Sequence, residues 1–256
     1  MNPILESLLA GLEQDGLDYY RTLVNPTAED DRWAGLCLVH RQDLLEAQDL
    51  FKQAIARGCR EASIELAISY WLLNNIEEAQ RLLASLCNYS FNPFDQVLYW
   101  RECGLQAHRQ GKQQEALKYL EQAWSLCLSD NQLKPLQGGV AHVLGMIYNS
   151  VEEYQKALYY FSRGLETMPL GRRSRLLTYR GLCRINLGHL EAAAQDFDQA
   201  KIGLSASPAL AATLEYALGM LARTKGDWAK ANTAFLRSAE LSSQALDFNT
   251  TYYAEL

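Results

Sequence analysis

Residues 138–171 read GGVAHVLGMIYNSVEEYQKALYYFSRGLETMPLG, and the organisation of the whole chain follows outward from this stretch. Counting Gly138 as position one, Leu144, Gly145, Tyr148, Ala157, Phe161, Gly164 and Pro169 fall at positions 7, 8, 11, 20, 24, 27 and 32. Small residues at positions 8 and 20 are what two antiparallel helices need where their backbones come closest. A large residue at position 24 would then fill the gap toward the next unit.

The same frame recurs along the 256 residues. Position 8 is Gly35, Ala67, Gly104, Gly145, Gly181 and Gly219; position 20 is Ala47, Ala79, Ala116, Ala157, Ala193 and Ala231. Position 24 is Phe51, Leu83, Leu120, Phe161, Phe197 and Phe235, and position 27 is small in every unit except the one with Leu86. Units therefore start near Ala28, Arg60, Val97, Gly138, Ser174 and Ala212, spaced by 32, 37, 41, 36 and 38 residues. Pro26, Pro93, Pro135, Pro169 and Pro208 each stand just before a unit start, and Gly111, Gly188 and Gly226 suit left-handed turns between the two helices of a unit. The longest extension, residues 129–138, is expected as a loop holding Pro135 and the Gly138-Gly139 pair.

This pattern resembles the tetratricopeptide repeat of about 34 residues position for position. The resemblance implies an all-α, right-handed α-solenoid of antiparallel helix pairs, with about 13 to 15 helices in all. Six units would fill residues 28–242, with N-terminal capping helices in 1–27 and a C-terminal capping helix or tail in 243–256. Leu5, Leu8, Leu9 and Leu12, then Leu17, Tyr20 and Leu23, mark the first cap; Leu246, Phe248, Tyr252, Tyr253 and Leu256 mark the last. Such a closing segment would cover the end of the stack or pair two copies of the chain into a homodimer.

Composition narrows the function classes. The chain carries 24 Lys and Arg against 30 Asp and Glu, a net charge of −6. That disfavours a nucleic-acid or membrane-surface binder, since both call for a positive surface. No stretch reaches the roughly 18 apolar residues of a membrane span, and the first twenty residues lack the basic start of a secretory signal. The six cysteines contain no C-x-x-C pair and suit buried thiols of a reducing compartment, so a cytoplasmic protein is expected.

In tetratricopeptide proteins, positions 2, 5, 9, 12 and 13 of the first helix commonly face a concave groove. Projected onto this chain, the groove would draw on Arg32, Trp71, Arg101, Leu105, His108, Arg109, His142, Met146, Asn149, Arg175, Asn186, Tyr216 and Arg223. Among all thirty projected positions, five arginines against two glutamates (Glu29 and Glu61) give +3, leaving −9 for the remainder of a chain of net −6. Arginine favours planar, bidentate contact with carboxylates, and Trp71, Met146, Met220 and Tyr216 add apolar anchor surface. The expected partner is a protein or peptide, acidic and hydrophobic in character.

A carboxylate clamp of the co-chaperone kind is missing, because its places are taken by Arg32, Leu36, Glu65, Leu98 and Glu102. No phosphate-binding loop, nucleophile elbow or zinc-binding spacing occurs. His40, His108, His142 and His189 are far apart in sequence, with His108 and His142 the one plausible pair. The paired carboxylates Asp30-Asp31, Glu77-Glu78 and Glu152-Glu153 sit at turns or helix starts, where they complement the helix dipole. A non-enzymatic interaction scaffold without cofactor or metal is therefore expected. The alternative is a regulatory domain that senses a small peptide or metabolite, since its long units resemble the ligand-sensing repeat domains of bacterial regulators.

Overall fold

The computed structural model describes residues 2–202 and 208–247, with side chains as far as residue 243. Among the described residues there are fourteen α-helices and no strand. In order they are α1 (Pro3–Ala10), α2 (Glu13–Thr22), α3 (Ala28–His40), α4 (Leu44–Ala56), α5 (Ala62–Leu72), α6 (Ile76–Ser85) and α7 (Pro93–Arg109). They continue with α8 (Gln113–Ser129), α9 (Gln137–Ser150), α10 (Tyr154–Thr167), α11 (Arg173–Asn186), α12 (Leu190–Ile202), α13 (Pro208–Thr224) and α14 (Trp228–Asp247). Residues 1–106 and 107–256 form two compact units, with the boundary inside α7. The first holds the pairs α1/α2, α3/α4 and α5/α6; the second holds α8 and the pairs α9/α10, α11/α12 and α13/α14.

One backbone device makes each helix pair. Position 15 is left-handed in all six repeats: Gln42, Asn74, Gly111, Glu152, Gly188 and Gly226 have φ of 73°, 61°, 75°, 62°, 78° and 81°. The next N–H then reaches back five residues to close the first helix, as Asn75 N to Tyr70 O at 2.8 Å and Glu153 N to Tyr148 O at 2.9 Å. Its own carbonyl receives the N–H of the position-20 alanine, as Ala157 N to Glu153 O at 3.0 Å. Helix end and helix start thus share one residue, which satisfies orphan backbone groups on both sides. Glycine carries this conformation in three repeats; Gln42, Asn74 and Glu152 adopt it despite the steric cost of a Cβ.

The close approach inside a pair brings the position-8 glycine against the position-24 ring. A Cβ built on Gly145 would lie 2.4 Å from Cε1 of Phe161, and its three nearest atoms all belong to that ring. Gly35 meets Phe51, Gly181 meets Phe197 and Gly219 meets Phe235 in the same way. The position-24 ring therefore lies edge on to the glycine of its own pair, and Phe161 also stacks on Tyr179 of the next pair, with ring centroids 6.0 Å apart, as expected of a residue filling the gap toward the next unit. Position 27 also serves close packing: a Cβ on Gly164 would approach Leu176 of the next pair to 2.6 Å and Ala141 of its own pair to 3.1 Å. Phe51, Phe161 and Phe197 are each fully buried, a burial that stabilises by about 2–3 kcal/mol per ring.

The extension at residues 129–138 is not a loop. Helix α8 runs to Ser129, a 3-10 turn over Asn131–Leu136 carries Pro135, and Gly138 and Gly139 lie in the first turn of α9. Gly138 faces Met168, whose methyl would be 2.8 Å from an added Cβ, so glycine there serves packing rather than chain reversal. At the start of the chain, Asn2 caps α1 through its side-chain oxygen, and Ile4, Leu5, Leu8 and Leu17 are buried. This pair is tied to α3 by Tyr20 Oη donating to Asp31 at 2.8 Å and Asn2 Nδ2 donating to Asp30 at 2.7 Å. The expected closing residues Phe248, Tyr252, Tyr253 and Leu256, and the Leu246 side chain, lie outside the described residues.

Candidate functional site

In residues 1–106 most of the projected positions are packed away, Glu29 and His40 being exposed. Arg32 is 2% exposed, and its Nη2 donates to Glu65 and to Asp95, each at 2.6 Å. The three residues come from α3, α5 and α7, so one guanidinium joins three successive first helices. Asp95 is held further by Asn92 Nδ2 at 2.7 Å, and Arg32 stacks 4.3 Å over the Trp33 ring. Burial alone would lower Arg32, but Glu65 and Asp95 outweigh it and hold the guanidinium well above its usual range. Two carboxylates against one cation leave the group formally one negative charge in excess, and burial pushes the Glu65 carboxyl up. Arg32 is thus neutralised inside the protein and offers no free charge to a ligand.

The neighbouring positions follow suit. Trp71, Leu98 and Leu105 are buried. Arg101 is half-buried and donates Nε and Nη2 to Glu102 at 2.9 and 2.7 Å. Asp31, expected to act on the helix dipole, is also drawn inside: it is fully buried and accepts from Arg57 Nη1 at 2.7 Å as well as from Tyr20. Asp30 does cap α3, in a reciprocal box with Thr27.

Residues 107–256 present a different surface. Helix α11 packs between α9 and α13, and Cys183 Sγ donates to Asn149 Oδ1 at 3.2 Å to join α11 to α9. Along these helices Met146, Asn149, Arg175, Leu182 and Met220 remain half-buried, while Asn186, Tyr216 and Arg223 are exposed. Tyr216 is 47% exposed and leans on Phe235 with ring centroids 5.7 Å apart. His142 is the exception at 1% exposure; it stands in a ring cluster 5.6 Å from Tyr179 and 6.4 Å from Phe161. His108 and Arg109 are half-buried at the end of α7, with His108 Nδ1 2.8 Å from Gln113 Oε1.

A second charged cluster was invisible as such in the sequence. Asp196 on α12, 1% exposed, accepts from Arg180 at 2.6 Å and pairs with Arg184 at 2.7 Å, the two arginines being one turn apart on α11. Burial lowers the Arg184 pKa, with the adjacent Arg180 adding to the effect. An arginine pair at i, i+4 opposite one aspartate was the only available signal. An open depression of about 500 Å³ lies on α8, lined by Gln114, Leu117, Lys118, Glu121, Gln122 and Ser125. None of the sequence-derived groove residues lines it. Among the described residues no group of three His, Cys, Asp or Glu side chains could hold a metal, and no helix is long and apolar enough to cross a membrane.

No family model matches the sequence, and no curated protein matches it significantly. Solved structures do match. One is the APC/C hetero-tetramer Cut9–Hcn1, with 19% identity over 98% of this chain and 48% of that one, at a TM-score of 0.74. A monomeric IFIT1 mutant with Gppp-AAAA shows 12% identity over 92% of this chain and 58% of that one, at 0.72. The chain thus spans only about half of these first neighbours. PilF of Pseudomonas aeruginosa matches with 18% identity over 94% of this chain and 100% of that one, at 0.58. These neighbours are tetratricopeptide-repeat proteins, and the chain shares their helical-repeat fold.

Proposed function

We propose that the chain is a non-catalytic interaction scaffold that binds a protein segment along the first helices of its second unit. The observation that carries this reading is the contrast between the two units. Of the sequence-derived groove residues in the first unit, Arg32, Trp71 and Leu105 are buried and Arg101 is paired with Glu102, whereas α9, α11 and α13 keep Met146, Asn149, Arg175, Leu182, Asn186, Tyr216, Met220 and Arg223 at least partly accessible. Side chains of this kind pair carboxylates through the arginines and apolar groups through methionine, leucine and tyrosine. An extended segment carrying acidic and hydrophobic residues fits them best.

The scaffold reading also rests on the fold, since repeat stacks of helix pairs present extended faces suited to partner chains. The cysteine pattern, with Cys37, Cys59, Cys127 and Cys183 buried and none joined in a disulfide, supports a cytoplasmic setting. A terminal homodimer is part of the same proposal. Affinity purification of the full chain with mass spectrometry of what is retained tests the reading. Recovery of a discrete protein partner whose capture is lost in Arg175→Ala/Arg223→Ala supports it. Retention of only a small peptide or metabolite, with no protein partner, would replace it with ligand sensing.

A further inference from the structure

We propose that Arg180, Arg184 and Ser162 form a phosphate-binding site between α10, α11 and α12. With about 3.6 residues per turn, the two arginines project from the side of α11 opposite Leu182 and Asn186. The starting observation is a comparison of equal repeat positions. Arg180, Arg184 and Asp196 stand at positions 7, 11 and 23 of their repeat. The preceding repeat has Leu144, Tyr148 and Tyr160 there, and none of the other five repeats carries a charge at any of the three. In the preceding pair Tyr148 and Tyr160 stack, with ring centroids 5.4 Å apart. The fold thus closes this seam elsewhere without charges, and mostly buried charges bring a desolvation cost that apolar side chains avoid.

The two arginines use their donors unequally. Arg180 gives its side-on fork to Asp196, Nε donating to Oδ2 at 3.0 Å and Nη2 to Oδ1 at 2.6 Å. Arg184 reaches Asp196 and the Ala192 carbonyl through Nη1 alone, at 2.7 and 2.9 Å. Its own fork, Nε and Nη2, meets no acceptor among the described residues, and the side chain keeps 22% exposure. Two cations against one carboxylate leave the cluster one positive charge in excess, the reverse of the Arg32 cluster. Burial and the adjacent Arg180 hold the Arg184 guanidinium below its usual range despite Asp196, a condition that a bound anion relieves.

The remaining donors select the anion. Arg180 Nη1 lies 3.5 Å from Ser162 Oγ, a long contact that leaves both groups able to meet a closer acceptor or donor. Ser162 stands at position 25 of the preceding second helix. One repeat earlier the same two positions touch, Tyr148 Oη donating to Glu121 at 3.1 Å, which places Ser162 beside Arg184 as well. A carboxylate has two oxygens, and the open fork of Arg184 would satisfy both. A phosphate brings further oxygens, which Arg180 Nη1 and the Ser162 hydroxyl can reach from another direction. A tetrahedral oxyanion is therefore the class that uses every open donor.

Isothermal titration of the full chain with inorganic phosphate at fixed ionic strength tests the site, with methyl phosphate and acetate titrated in parallel. The expected affinity is about millimolar, with acetate about tenfold weaker. Binding of methyl phosphate as well assigns the site to phosphomonoesters, and binding of phosphate alone assigns it to the free ion. Arg184→Lys keeps a cation for Asp196 but has no fork, and should weaken phosphate about tenfold with helicity unchanged. Arg180→Leu/Arg184→Tyr/Asp196→Tyr, which installs the residues of the preceding repeat, should fold and bind no phosphate. Arg175→Ala/Arg223→Ala, which alters the accessible face instead, should bind it as the wild type does. A wild-type chain that binds no phosphate at tens of millimolar overturns the proposal, as does acetate bound as tightly as phosphate. So does undiminished binding by Arg184→Lys or the triple variant, or loss of binding in Arg175→Ala/Arg223→Ala, since each places the anion elsewhere.

Discussion

Gly145 lies beneath the edge of the Phe161 ring, so close that a single added methyl group would come within 2.4 Å of Cε1. Three other repeats reproduce the pairing at Gly35–Phe51, Gly181–Phe197 and Gly219–Phe235. Gly145→Ala should destabilise the fold by about 2 kcal/mol, because a fully buried ring in a close-packed pair has nowhere to retreat. Gly171→Ala serves as the control, since nothing lies within 4 Å of its added Cβ. Urea unfolding of both variants checks this; equal midpoints would contradict the packing.

Glu152 holds a left-handed backbone at φ 62° where three other repeats use glycine. The strain of a non-glycine residue there, about 1–2 kcal/mol, exceeds the ~0.5–1 kcal/mol of extra chain entropy that glycine loses on folding. Glu152→Gly should therefore stabilise by about 0.5 kcal/mol, measured as an upward shift of the denaturation midpoint.

The Arg32, Glu65 and Asp95 cluster makes an asymmetric prediction. Removing the cation strands two buried carboxylates, so Arg32→Met should cost about 3–5 kcal/mol. Replacing all three with apolar residues of similar volume should recover most of that loss. Chemical denaturation of the single and triple variants reads the difference directly.

Asp30 sets a pH dependence. Burial acts to raise its pKa, but hydrogen bonds from the Thr27 backbone and hydroxyl and from Asn2 outweigh it and hold the carboxyl below its ordinary range. A depressed carboxylate contributes stability that is present above the unfolded value of about 4 and is lost as pH falls through the folded one. Asp30→Asn should lower stability at neutral pH and flatten the decline below pH ~4.

The fold was legible because the repeat imposes residue types: glycine or alanine at position 8, alanine at position 20 and a large apolar residue at position 24 each answer a steric need. What the sequence concealed was partnership. Nothing in the spacing distinguishes an arginine that faces solvent from Arg32, whose two carboxylates arrive from positions 33 and 63 residues away. The left-handed turn was readable at Gly188 but not at Gln42 or Glu152, where tertiary closure overrides local preference. His142 and Tyr216 occupy equal repeat positions, yet one is enclosed by Phe161 and Tyr179 while the other stands open. Burial at those positions depends on neighbouring side chains, which a periodic pattern does not encode.

The central claim is that the accessible face of α9, α11 and α13 recognises an acidic, apolar segment. Isothermal titration of a panel of acidic-hydrophobic, neutral and basic peptides against the wild type and Arg175→Ala/Arg223→Ala tests it most directly. The account predicts that the wild type prefers acidic-hydrophobic peptides and that raising the salt weakens binding, given a Debye length of about 8 Å at physiological ionic strength. The double variant should lose about tenfold or more in affinity. Equal binding by both proteins, or a preference for basic peptides, would contradict it.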